Sequence, residues 1–99
     1  MIIVLTSSDA PSLTDLDRFD RLHAELHGDL DAARLDALCR PGDDDHIWLD
    51  IAAARHAGAL AASDPAFGDQ FDAMISYARR SGWVDEGGTH VRAHVEPAG

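Results

Sequence analysis

Residues 12–27 read SLTDLDRFDRLHAELH, and the fold turns on how they are taken. Leu16, Phe19, Leu22 and Leu26 recur at helical spacing, with Asp17, Arg18, Asp20 and Arg21 on the opposite side. Ser12 stands where an N-cap belongs, and Asp15 follows in what would be an acidic first turn. The stretch also carries a rival signal: Leu22-His23-Ala24-Glu25-Leu26-His27 alternates apolar and polar, as a half-buried strand does. The helical period continues back to Leu16, so the reading adopted is a first helix that starts near Ser12 and stops at Gly28.

Working outward, Met1 to Thr6 (MIIVLT) is a short, buried, β-branched strand, and Ser7 to Ser12 is a polar connection. Asp29 opens a second helix, Leu30 to Arg40, with Leu35, Leu38 and Cys39 inward; Pro41-Gly42 closes it in a tight turn. His46 to Leu49 is a short strand with Ile47 and Leu49 on one face, His46 and Trp48 on the other. Asp50 caps a third helix, Ile51 to Ala62, where alanines and Gly58 allow close helix–helix approach. The fourth helix has Asp64 as N-cap, Pro65 at N1, and Phe67, Phe71, Met74, Ile75 and Ala78 on one face. Arg79 and Arg80 suit its C-terminal dipole, Gly82 its C′ position and Trp83 the apolar contact beyond. Strands Trp83 to Asp85 and Thr89 to Glu96 follow around Gly87-Gly88. In the second, Val91, Ala93 and Val95 face the core, while His90, Arg92, His94 and Glu96 face out.

The expected fold class is therefore α+β: four helices with a small antiparallel sheet, plus a short N-terminal strand. The strand–helix–helix–hairpin order resembles a winged helix in topology alone; no family signature runs through the chain. A chain of 99 residues, 45% hydrophobic and 26% charged, is read as a single domain, residues 1–99.

Charge narrows the partners. The formal net charge is −10, whereas nucleic acid and anionic membranes both require clustered positive charge. All eight basic residues are Arg, Lys and Asn are absent, and Asp supplies fifteen of the eighteen acids. GC-rich coding explains this pattern better than adaptation to salt, which would bring in more Glu. The single cysteine, Cys39, excludes an intrachain disulfide framework and is read as a core thiol. No apolar run approaches the roughly 18 residues of a membrane span, and Met1 to Leu5 is too short for a signal peptide. A cytoplasmic protein is the expectation.

Chemistry-bearing patterns are few. His23 and His27 are four apart around Glu25, a weak metal-ligand candidate; a zinc-protease helix would need Glu where Ala24 stands. His90 and His94 form a second same-face pair, but nothing in the sequence brings the two pairs together. Asp43-Asp44-Asp45 lacks the Gly and Glu of a calcium loop. No nucleophile elbow, phosphate loop or dinucleotide fingerprint occurs. No catalytic residue, metal or cofactor is assigned.

The expected role is a non-enzymatic protein-interaction or dimerisation module, with Trp48, His90, Arg92, His94, Arg79 and Arg80 as contact residues. Trp48 faces away from Ile47 and Leu49, as core under another layer or as a partner anchor. The strand Thr89 to Val95 is expected to carry an unpaired edge and to mark a homodimer contact near Arg92, tightened as its histidines protonate. The alternatives are a winged-helix DNA-binding regulator, opposed by Asp69, Asp72, Asp85 and Glu86 on its would-be reading surfaces, and a small dimeric enzyme with a histidine-lined pocket.

Overall fold

The computed structural model describes residues 1–6, 11–16, 18–19, 22–28, 38–43 and 45–97. Their elements are β1 (Ile2–Thr6), β2 (Ser12–Thr14), β3 (His23–His27), β4 (Cys39–Pro41), β5 (His46–Asp50), α1 (Ile51–Ala61), α2 (Phe67–Arg80) and β6 (His90–Pro97). The six strands form one mixed sheet in the order β2-β1-β3-β6-β5-β4. β3 runs parallel to both β1 and β6; β2 on β1, β5 on β6 and β4 on β5 are antiparallel.

This overturns the expected four-helix architecture with its small sheet. Two helices are present among the described residues, both between β5 and β6, and the winged-helix order is gone. The error began in residues 12–27. Asp15 has φ 51°, a left-handed turn value that a helical first turn excludes, and Arg18 N–H closes the turn onto the Asp15 carbonyl at 3.0 Å. The Leu22–His27 alternation was the signal that held. Ala24 is wholly buried between its register partners Ile3 and Val95, while His23 and Glu25 point to the other side. Leu16, Phe19 and Leu22 pack against the core only partly buried, so the helical stripe they suggested was coincidental. What decides this stretch is pairing with strands at both ends of the chain, which local periodicity does not register. Cys39 and Arg40 likewise lie on a strand, and Leu38 in a turn, where the second helix, Leu30 to Arg40, had been expected; its residues 30–37 lie outside the described residues.

The remaining half follows its local signals. Asp50 caps α1, its carboxylate accepting the Ala53 N–H at 2.9 Å. Phe67, Phe71, Met74, Ile75 and Ala78 form the buried face of α2. Asp64 sits two residues before the actual N-cap, Ala66, its carboxylate accepting the Ala66 N–H at 2.9 Å, and α2 begins at Phe67, so neither Asp64 nor Pro65 holds the cap position expected of it. Gly82, at φ 81°, ends the helix, and Trp83 N–H returns to the Ala78 carbonyl at 2.9 Å.

The core lies between these helices and one face of the sheet. Ile3, Leu5, Ala24, Ile47, Leu49, Val91 and Ala93 supply the sheet side. Gly58 lets α1 close onto α2: a Cβ there would lie 2.3 Å from Phe67 Cζ. β6 is not an edge strand. It is paired on both flanks, which removes the unpaired edge expected of Thr89 to Val95. Among the described strands the edges are instead β2 and β4, each three residues long.

Candidate functional site

Alternation along the strands sends one set of side chains under the helices and the other to the opposite face, where register orders them in rows. His23, His94 and His46 form one row across β3, β6 and β5. The His46 and His94 rings lie 5.5 Å apart and nearly perpendicular. The next row is Arg92, Trp48 and Arg40 across β6, β5 and β4. On the other side of the imidazoles stand Glu25 and Glu96, themselves register partners. The face thus grades from carboxylate through imidazole to guanidinium, and Arg40, Arg92 and His94 are exposed on it.

A cleft opens where β6 changes partners. From His94 onward its flank is taken by β3; before that, the segment around Val84 takes the same flank, with Arg92 N–H donating to the Trp83 carbonyl at 2.8 Å. Two segments abutting end to end beside a third leave a gap. Its volume is about 370 Å³, with Phe19, Leu22, Met74 and Val91 at its apolar walls and His23, Arg92, His94 and Glu96 as its polar ones. Tyr77 and Trp83 stand at its rim, rings 5.7 Å apart and edge-on, 58% and 40% exposed. A smaller adjoining hollow of about 260 Å³ brings in His46.

His23 is the most buried of the three imidazoles. Its side chain is 13% exposed, and Nε2 lies 3.7 Å from Glu96 and 3.9 Å from Glu25. Its Nδ1 is buried with no hydrogen-bond partner among the described residues. A buried polar atom left unpaired costs on the order of 1–3 kcal/mol. His46 is anchored differently, with Nδ1 2.8 Å from the Asp43 carboxylate. That hydrogen bond, then the Asp45 N–H, hold the Asp43 carboxyl below the usual carboxylate range, and the nearby Arg92 charge adds to this.

The other sequence candidates fall elsewhere. His90, expected to face solvent, is only 7% exposed; its Nδ1 lies 2.7 Å from Thr89 Oγ1 and 3.6 Å from Asp85, and its Nε2 3.8 Å from Asp50. Asp85 accepts the N–H groups of His90 and Thr89 at 3.0 and 2.8 Å, and the first of these does most to lower its pKa. Arg79 and Arg80 are exposed at the end of α2 and do not line the cleft. Trp48 is half-buried in the arginine row. His23 and His27 straddle Glu25 on a strand, roughly 13 Å apart at strand rise, too far to share a metal as a helical pair would. Among the described residues no group of three or more His, Cys, Asp or Glu could hold a metal ion. Cys39 is buried, and burial pushes its thiol up to about 12, leaving it inert near neutrality.

Tyr77 and Trp83 were missed as site residues, and so was the meeting of His23 with His94 and His46. Tyr77 lies on α2 and Trp83 just beyond it, so their place at the cleft depends on how the helix lies beside β6; the histidine row depends on sheet register, and only the strand alternation at Leu22–His27 pointed that way.

No protein-family model matches the chain, and comparison with curated proteins and with solved structures returned no similar chain. What fold and site define is a class alone: an α+β chain with two described helices on one side of a six-stranded mixed sheet and a histidine-lined cleft at the gap where β6 changes partners, walled by α2 as well as by the strands. Among the described residues no helix is long and apolar enough to cross a membrane.

Proposed function

We propose that the chain is a non-enzymatic interaction module that takes an acidic segment of a partner protein on the imidazole-bearing face of its sheet. The observation that carries this reading is the register of two adjacent rows, His23–His94–His46 and Arg92–Trp48–Arg40. In a molecule of net charge −10 they gather basic groups on one face, with an aromatic anchor between two arginines. Electrostatic complementarity of this kind governs encounter rate and choice of partner. The groups facing the imidazoles are Glu25 and Glu96 from β3 and β6, Asp43 beside His46, and Arg92. Contacts between such exposed charges are screened, so binding weakens with salt. A cytoplasmic setting belongs to the same proposal and fits a lone, buried cysteine.

The enzyme alternative has the Asp43–His46 pair in its favour, a base with its orienting carboxylate. Among the described residues no serine, threonine or cysteine lines either hollow, which favours binding over nucleophilic catalysis.

The test is titration of the labelled chain with an Asp-rich peptide and, separately, an Arg-rich one, followed by backbone amide shifts. The Asp-rich peptide is expected to move Arg40, Trp48, Arg92 and His94, and Arg92→Glu to abolish the effect. Equal response to the Arg-rich peptide, or none to either, refutes the reading. A dimer mass in light scattering that Arg92→Glu removes makes a second copy the occupant and overturns the choice of a foreign partner.

A further inference from the structure

We propose that the acidic segment taken by this face is proline-rich, bound as a polyproline II helix with two carboxylates three residues apart. This rests on the acidic-segment reading and adds the conformation and spacing that the site selects. The row Arg92–Trp48–Arg40 crosses β6, β5 and β4 in direct register, so its three side chains share a face. On the other flank of Arg92 lies Trp83, whose carbonyl accepts the Arg92 N–H at 2.8 Å. Across the sheet the order is therefore Trp83, Arg92, Trp48, Arg40, an alternation of aromatic and cation. Arg92 and Arg40 are exposed, Trp48 is half-buried, and Trp83 stands partly exposed against the Tyr77 ring.

The spacing of the row selects the backbone of its ligand. Neighbouring strands lie roughly 4.7–4.9 Å apart, which puts Arg92 and Arg40, two strands apart, about 9.5 Å from each other along the row. A polyproline II helix returns to one side every three residues, or about 9.3 Å. An extended strand laid along the row repeats a side about every 6.6 Å, too short at one repeat and too long at two. An α-helix comes near only after seven residues, about 10.5 Å. The rings in the row decide between these last fits, because aromatic surfaces are where proline-rich helices dock. Carboxylates at the first and fourth positions then meet the two guanidinium groups, each able to take a carboxylate through paired N–H bonds, and the prolines between them lie over Trp48. Glu25 and Glu96 beyond the histidines, and Asp43 near Arg92, repel carboxylates placed elsewhere on the face and so fix the register.

The experiment uses the full chain and three short peptides of equal charge in identical flanks, with cores Asp-Pro-Pro-Asp, Pro-Asp-Asp-Pro and Asp-Gly-Gly-Asp. Binding is read from the amide shifts of Arg40, Arg92 and Trp83 and the indole N–H of Trp48. The first peptide is expected to bind about fivefold or more tightly than either of the others, since the second breaks the spacing and the third loses the preformed backbone. Arg40→Gln, at an exposed position, should abolish the preference for the first over the second. Equal binding of the first peptide and either control, or a preference that survives Arg40→Gln, overturns the proposal and leaves the acidic-segment reading standing. If none of the three binds while the Asp-rich peptide does, this proposal alone falls; if that peptide fails as well, both fall. Tighter binding of single-stranded oligouridylate, or a dimer in light scattering that Arg40→Gln removes, gives the row to nucleic acid or to a second copy and likewise overturns it.

Discussion

The two faces of the sheet use the same backbone for opposite ends. On β5 and β6, Ile47, Leu49, Val91 and Ala93 go beneath the helices and are at most 1% exposed. Their neighbours His46, Trp48, Arg92 and His94 stand on the other side, half-buried or exposed. The first face is held by close packing, so every atom there contributes to stability. The second is held in place by the first, and its side chains are at liberty to serve recognition. Stability and binding should therefore separate cleanly by strand parity.

The largest expected effect is on the helix side. Phe71, fully buried and 5.7 Å from Phe67, should cost about 3–5 kcal/mol when cut to Ala, measured by denaturant unfolding. A loss below about 1 kcal/mol would break the comparison. Gly58→Ala comes next: its new methyl would lie 2.3 Å from Phe67 Cζ, and overpacking of this kind costs about 1–3 kcal/mol. An unchanged melting temperature would show that α1 and α2 are free to part.

Asp85→Asn sharpens the boundary between the faces. The carboxyl's folded pKa is depressed below 3.8, chiefly by the His90 N–H, so its stabilisation is present at neutral pH and lost as pH falls below about 4. The variant should melt lower than the native chain at pH 7, and the gap should narrow as pH falls below about 4. A constant gap would assign the effect to packing instead of charge. The smallest effect is expected from His94→Ala and Arg92→Ala, each within about 0.5 kcal/mol of the native stability. A larger loss at either would show that the open face also holds the fold together.

The same contrast explains what could be read beforehand. α1, α2, β5 and β6 carry signals that act within a few residues: Asp50 on the Ala53 N–H, the Phe67–Ala78 stripe, Gly82 at the helix end. β3 does not. Its stretch satisfied both periods, and the choice was made by β1 and β6, each far away in sequence. The site inherits that difficulty. Arg92 and His94 were visible as an outward pair, and Trp48 as a tryptophan on the non-core side. The alignment of His23 with His94 and His46 exists only once β6 has been inserted between β3 and β5. The cleft depends further on Trp83 ending where Leu22 begins. His90 shows the limit of parity itself: it alternates outward, yet Thr89, Asp85 and Asp50 close around it.

β6 has a consequence for the order of assembly. It occupies the middle of the sheet, yet it is synthesised after all five other strands. Until residues 90–97 emerge from the ribosome, β1, β2 and β3 can pair among themselves, and so can β4 and β5, but the two groups have nothing to join them. Each then presents a bare flank, β3 on one side and β5 on the other, of the sort that captures stray strands. Contacts such as His23 with His94 span most of the chain, which slows folding and lengthens the exposure. A ribosome that stalls before residue 90 would release two half-sheets whose open edges seek strands in other molecules.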